Sequence, residues 1–96
     1  MNENVVVMFD CDGTLVDEKL NPIWKNVSLL MTFLNNLRCR VWIASGGGHE
    51  YAESIARKLG VFEMVECYGK AGLPRQPDIC FDDMESCILG VVNLQV

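Results

Sequence analysis

The first apolar run of the chain, Val5-Val6-Val7-Met8-Phe9, stops abruptly at Asp10-Cys11-Asp12-Gly13-Thr14. An unbroken β-branched run, with no polar alternation, predicts a strand covered on both faces, as in a parallel sheet. Asn21-Pro22 reads as an N-cap followed by proline in the first helical turn. Val27, Leu30, Met31, Leu34 and Leu37 then recur at helical spacing, which predicts a helix to about Arg38. Arg40-Val41-Trp42-Ile43-Ala44 predicts a second buried strand, closed by Ser45-Gly46-Gly47-Gly48. Ala52, Ile55, Ala56 and Leu59 mark a second helix, with Gly60 suited to its C′ position.

The rest of the chain is less regular. Val61 to Cys67 predicts a third strand, more polar and therefore at an edge, and Tyr68 to Pro77 reads as a loop rich in glycine and proline. Asp78-Ile79-Cys80-Phe81 predicts a short fourth strand ending in Asp82-Asp83. After a turn around Met84-Glu85-Ser86, Cys87 to Leu94 offers a fifth. Strand, helix, strand, helix, strand is the signature of a right-handed α/β fold with an open parallel sheet. The expectation is a Rossmann-like core of about five strands in a single domain over residues 1–96.

Composition narrows the function classes. The 96 residues are 50% hydrophobic and 22% charged, which excludes a disordered chain. No apolar run approaches the roughly 20 residues of a membrane-spanning helix. The polar start Met1-Asn2-Glu3-Asn4 carries no basic residue and does not read as a secretory signal. Eight Lys+Arg against 13 Asp+Glu leave a net charge of −5, which argues against nucleic acid as a partner. Five cysteines without a CxxC pair, beside one histidine, give no zinc-ligand spacing. Small apolar thiols in a reducing, cytoplasmic compartment are the expectation.

In an open parallel sheet, ligands bind beyond the carboxyl ends of the strands, near the point where strand order reverses. The polar clusters fall at those ends. The first strand ends in Asp10 and Asp12, the second in Ser45 and three glycines, and the fourth in Asp82-Asp83, with Lys70 in the loop before it. Two like charges about 4 Å apart repel by roughly 4 kcal/mol at an effective dielectric near 20. A convergence of these carboxylates therefore calls for a cation, and an all-oxygen set suits Mg²⁺. Taken singly, each aspartate also reads as a turn or cap residue, and His49 as a first-turn helix residue. GxSxG, GxxxxGK[ST] and GxGxxG are absent, which leaves a serine hydrolase or a dinucleotide-binding domain poorly supported.

Asp10-Cys11-Asp12-Gly13-Thr14-Leu15 after an apolar strand resembles the DxDGT[LV] signature of the haloacid dehalogenase-like (HAD) hydrolase superfamily. Ser45, Lys70 and Asp82-Asp83 match the remaining motifs in order, over roughly residues 4–94. The resemblance implies a phosphatase in which Asp10 is the nucleophile and forms an aspartyl-phosphate. Asp12 would protonate the leaving oxygen and then activate water. It also implies that Mg²⁺ is held by Asp10, the Asp12 carbonyl and the acidic pair, with Asp83 the direct ligand and Asp82 supporting. Ser45, Gly46 and Lys70 would bind the phosphoryl oxygens, and Cys11 would serve as a spacer.

Two departures bear on substrate and assembly. Val16 to Asn21 and Tyr68 to Pro77 are too short for the cap domains that relatives commonly insert, so the expected site is open, to a small phosphorylated molecule or a macromolecular one. Both assigned helices belong on one sheet face, which leaves the other thinly covered, although the strands are apolar on both faces, with Val6, Met8, Trp42 and Ala44 alternating against Val5, Val7, Phe9, Val41 and Ile43. That pattern predicts a homo-oligomer that buries the thinly covered face. Two other functions are compatible with the same motifs: a phosphate-binding or phosphoryl-accepting module with negligible turnover, and a regulatory or assembly protein.

Overall fold

A computed structural model of the protein describes residues 5–36, 38–85 and 87–96. The run that begins at Val5 forms β1 (Val5–Asp10), the middle strand of a five-stranded, all-parallel sheet. The other strands are β2 (Cys39–Ser45), β3 (Glu66–Gly69), β4 (Ile79–Asp82) and β5 (Val92–Gln95), in the spatial order β3-β2-β1-β4-β5. The helices are α1 (Trp24–Leu34) and α2 (His49–Lys58). The fold is an open, Rossmann-like α/β sheet, as the sequence pattern predicts. Strand order reverses between β1 and β4: the chain steps outward to β2 and β3, then crosses back to lie on the other side of β1.

Packing explains why β1 does not alternate. Val7 and Phe9 face both helices in a cluster with Val41, Ile43, Val27, Leu30, Ala52, Ile55 and Ala56. Phe9 and Phe81, paired in register, stack with centroids 4.8 Å apart, and Phe33 of α1 closes on both rings. Such aromatic pairs add about 0.5–1.5 kcal/mol beyond the area they bury. Val6, Met8, Trp42, Ala44 and Cys80 form the opposite layer, buried beneath Tyr68, Leu73, Cys87 and Leu89. Much of the cover on this face thus comes from within the chain, from Tyr68 of β3 and from its loops. The large apolar side chains left most exposed, Ile88, Trp24, Val91 and Met84, belong to neither layer.

Several boundaries differ from the sequence expectation. Asn21-Pro22 does not cap α1: Ile23 takes the N-cap position, without a side-chain hydrogen bond. Asp17 Oδ1 accepts the backbone N–H groups of Lys19 and Asn21 at 2.8 and 2.9 Å, and Pro22 bridges to Val16. That closed turn consumes Asn21 before the helix begins. The helix also ends at Leu34, short of Arg38, where Asn35 and Asn36 turn the backbone; Asn36 Oδ1 accepts the N–H of Arg38. The third strand begins at Glu66, because Phe62–Met64 forms a 3₁₀ turn, and it runs on through Tyr68 and Gly69. The fifth is confined to Val92–Gln95. Leu37, Ser86 and residues 1–4 lie outside the described residues. Gly60, with φ of +77°, takes the left-handed position after α2 as expected. Among the described residues no helix is long and apolar enough to cross a membrane.

Candidate active site

Asp10 and Asp82 end neighbouring strands, one step beyond the Phe9–Phe81 pair, so their carboxylates emerge side by side at the switch point. Lys70 begins the 3₁₀ turn Lys70–Gly72 that follows β3. Its Nζ lies 2.8 Å from Asp10 Oδ1 and 3.0 Å from Asp82 Oδ2, bridging the two. Lys70 can start there because Gly69 has no side chain: a Cβ at Gly69 would press on the Gly48 backbone at 3.2 Å. Asp83 completes the acidic group, with one oxygen each of Asp10, Asp82 and Asp83 all within 4.8 Å of one another. Three carboxylate donors without nitrogen or sulfur make an oxygen-only set that fits a hard cation such as Mg²⁺.

One ammonium between two buried carboxylates does not serve them equally. Burial pushes the Asp10 carboxyl up to about 6, and its hydrogen bond to Lys70 offsets this only in part. Burial acts in the same direction on Asp82, but the Met84 N–H and Lys70 outweigh it and hold that carboxyl below its ordinary value. Burial disfavours the charge on Lys70, yet hydrogen bonds to Asp10 and Asp82 raise its pKa overall. Lys70 is therefore a fixed positive charge, and Asp10 is the group whose ionisation is costly.

The loop after β1 is shaped by its carbonyls. Cys11 O accepts the N–H groups of Thr14, Leu15 and Val16, folding Asp12 and Gly13 outward. Gly13 has φ of +81°, and a Cβ there would overlap the Asp83 carboxylate, so the position needs glycine on both counts. The Cys11 thiol is fully buried and pushed up to about 12, chiefly by that burial, which leaves it protonated and inert. Ser45, nearly buried at the end of β2, accepts the Gly47 N–H at 2.9 Å, while Gly46 is exposed. His49 is the exposed first residue of α2, in agreement with its reading as a helix residue.

Comparison with family models, with curated proteins and with solved structures finds no match. The site therefore stands on its own geometry.

Two residues outside the sequence-based candidates take part. Tyr51, the third residue of α2, donates from its hydroxyl to Asp12 Oδ1 at 2.5 Å, and this bond raises its own pKa to about 12. Asn26, buried in the first turn of α1, donates from Nδ2 to the carbonyl of Thr14 at 2.8 Å and so ties that helix to the Asp10–Leu15 loop. The one signal for Asn26 in sequence is an amide inside an otherwise apolar helix face; for Tyr51 there is none. Beside the acidic group lies a cleft of about 400 Å³ lined by Asp12, Asp17, Glu18, Asp83, Tyr51, Gly13 and Leu20.

Proposed function

We propose that the protein is a magnesium-dependent phosphomonoester hydrolase of the HAD type, working through an aspartyl-phosphate on Asp10. The observation that carries this reading is the Lys70 ammonium held between Asp10 and Asp82, with Asp83 beside them. In this reading the Asp10 carboxylate attacks phosphorus in line, and Lys70, the Ser45 hydroxyl and the Gly46 N–H hold the phosphoryl oxygens. Asp12 gives a proton to the leaving oxygen and then takes one from the water that releases phosphate. Magnesium, held by Asp10, Asp82, Asp83 and the Asp12 carbonyl, would supply the positive charge that lets two anions meet. Asp82 already gives one oxygen to Lys70 and the other to the Met84 N–H, which favours Asp83 as the more direct of the two acidic ligands.

The adjoining cleft is acidic and includes no basic side chain among its lining residues. Its charge favours a phosphate ester whose remainder is neutral or cationic, and it repels polyanions such as nucleic acid. The five free thiols suit a reducing compartment such as the cytoplasm.

A phosphate-release screen over sugar phosphates, nucleotides, phosphopeptides and phosphorylated DNA ends, with and without Mg²⁺, tests the reading. Repeated turnover with magnesium supports it. One equivalent of acid-stable, hydroxylamine-sensitive phosphoprotein without turnover would replace it with a phosphoryl-accepting module.

Tyr51→Phe is expected to lower turnover by roughly 10-fold while leaving magnesium binding unchanged, because it frees Asp12 without touching the acidic group. Parallel kinetics and magnesium calorimetry would check this. Cys11→Val is expected to keep most of the activity, since the loop uses the Cys11 carbonyl and not the thiol. A loss as large as that of Asp10→Asn would assign the thiol a role in the reaction.

A further inference from the structure

We propose that Cys80, Cys87 and Asp82 form a second metal site, for a thiophilic divalent cation of the zinc class. Cys80 is fully buried on β4, and the chain turns after Met84, where the Cys87 N–H donates to the Met84 carbonyl, so that Cys87 comes back over it. The two sulfurs lie 3.7 Å apart. Two thiolates bound at about 2.3 Å to a tetrahedral ion are separated by about 3.8 Å, so the pair already stands at ligand spacing. A disulfide, with its S–S bond of about 2.05 Å, would require a much closer approach.

An Asp82 oxygen lies within 4.8 Å of both sulfurs and supplies a third donor. The Met84 N–H, 2.9 Å from Asp82 Oδ1, orients that carboxylate as an outer-shell partner does in established metal sites. A cleft of about 150 Å³, bounded in part by Asp82, Cys87 and Asn93, opens beside two of the three donors, while Cys80 lies fully buried behind them. Among the described residues, no other cysteine belongs to such a group.

Binding replaces two S–H bonds with two metal–sulfur bonds and releases both protons to solvent. The site shares Asp82 with the oxygen-only set of Asp10 and Asp83, and its sulfur pair is what selects a thiophilic ion over magnesium. The inference does not depend on the phosphatase reading, because its readout is spectroscopic.

The test uses the whole chain, reduced and metal-free, titrated with Co²⁺ and then Zn²⁺. One equivalent of cobalt should give thiolate-to-metal charge-transfer absorption and tetrahedral visible bands, which zinc removes and magnesium does not. Cys87→Ser should weaken zinc binding by more than about 100-fold, beyond the 10–100-fold typical of an outer-shell loss. Cys67→Ser should leave it unchanged. An absence of thiolate absorption in the wild-type chain would overturn the proposal, whatever the folding of the variants. So would equal losses in Cys67→Ser and Cys87→Ser.

Discussion

Asp10→Asn is expected to abolish magnesium-dependent phosphate release, by at least about 10³-fold, and at the same time to make the metal-free protein more stable at pH 7. The two effects share one cause. Asp10 is only 7% exposed, and its burial outweighs the attraction of Lys70, so its carboxyl is pushed up to about 6. The folded state therefore binds that proton more tightly than the unfolded chain does. Its contribution to stability is complete below about pH 4, where an unfolded aspartate is also protonated, and it is lost as pH rises through about 6. Asparagine keeps the shape without the ionisation. Thermal melts of the two proteins without metal should differ most at pH 7 and converge as pH falls from about 6 toward about 4. A parent that melts higher than Asp10→Asn at pH 7 would show that the Lys70 pairing dominates over burial, contrary to the direction argued here.

Lys70→Met is expected to be the most destabilising single change at the site. It leaves the carboxylates of Asp10, Asp82 and Asp83 within 4.8 Å of one another with the bridging cation gone. Removing one partner of a fully buried ion pair costs about 3–5 kcal/mol; Lys70, with 27% of its side chain exposed, belongs at or below the lower end of that range, still a large share of the roughly 5–15 kcal/mol available to a typical domain. Acidification should recover much of the loss, because a protonated Asp10 no longer needs the ammonium. Magnesium should raise the melting temperature of this variant more than that of the parent, since bound cation stabilises the folded state by mass action. Calorimetric melts at pH 7 and pH 5, with and without Mg²⁺, measure all three. An unchanged melting temperature in metal-free Lys70→Met would mean that the bridge contributes no net stability, and would remove the electrostatic basis of the proposed chemistry.

The parts of the fold legible in the sequence were those with strong periodicity. Val6–Phe9 and Val41–Ala44 lack polar positions because neighbouring strands cover their edges and packed layers cover their faces, whereas Val5 stays exposed at the start of the strand. The helical spacing from Val27 to Leu34 survives as α1 for the same reason: Leu30 and Val27 must reach the sheet. The misplaced boundaries lie where a side chain competes with the backbone. Asp17 takes two N–H groups and moves the start of α1, and the two asparagines after Leu34 end it early. Local hydrogen bonding of this kind has no period, so pattern reading passes over it. The cover of the second sheet face is equally invisible to periodicity. Leu73, Cys87 and Leu89 sit in segments without regular structure, yet they bury Trp42 and Met8 as effectively as a helix would.

The order of elements, the parallel sheet and the acidic residues at the ends of β1 and β4 are legible in the chain alone, because they follow from local apolar runs and from what interrupts them. The folded arrangement alone makes Lys70 bridge Asp10 and Asp82, sets Tyr51 on Asp12, and brings Cys80 and Cys87 together beside Asp82. Each of these pairs residues brought together by strand order and by loops, and no one-dimensional pattern encodes a distance across a sheet. The chemistry of a charged group depends on such distances, through burial and through the charges it meets.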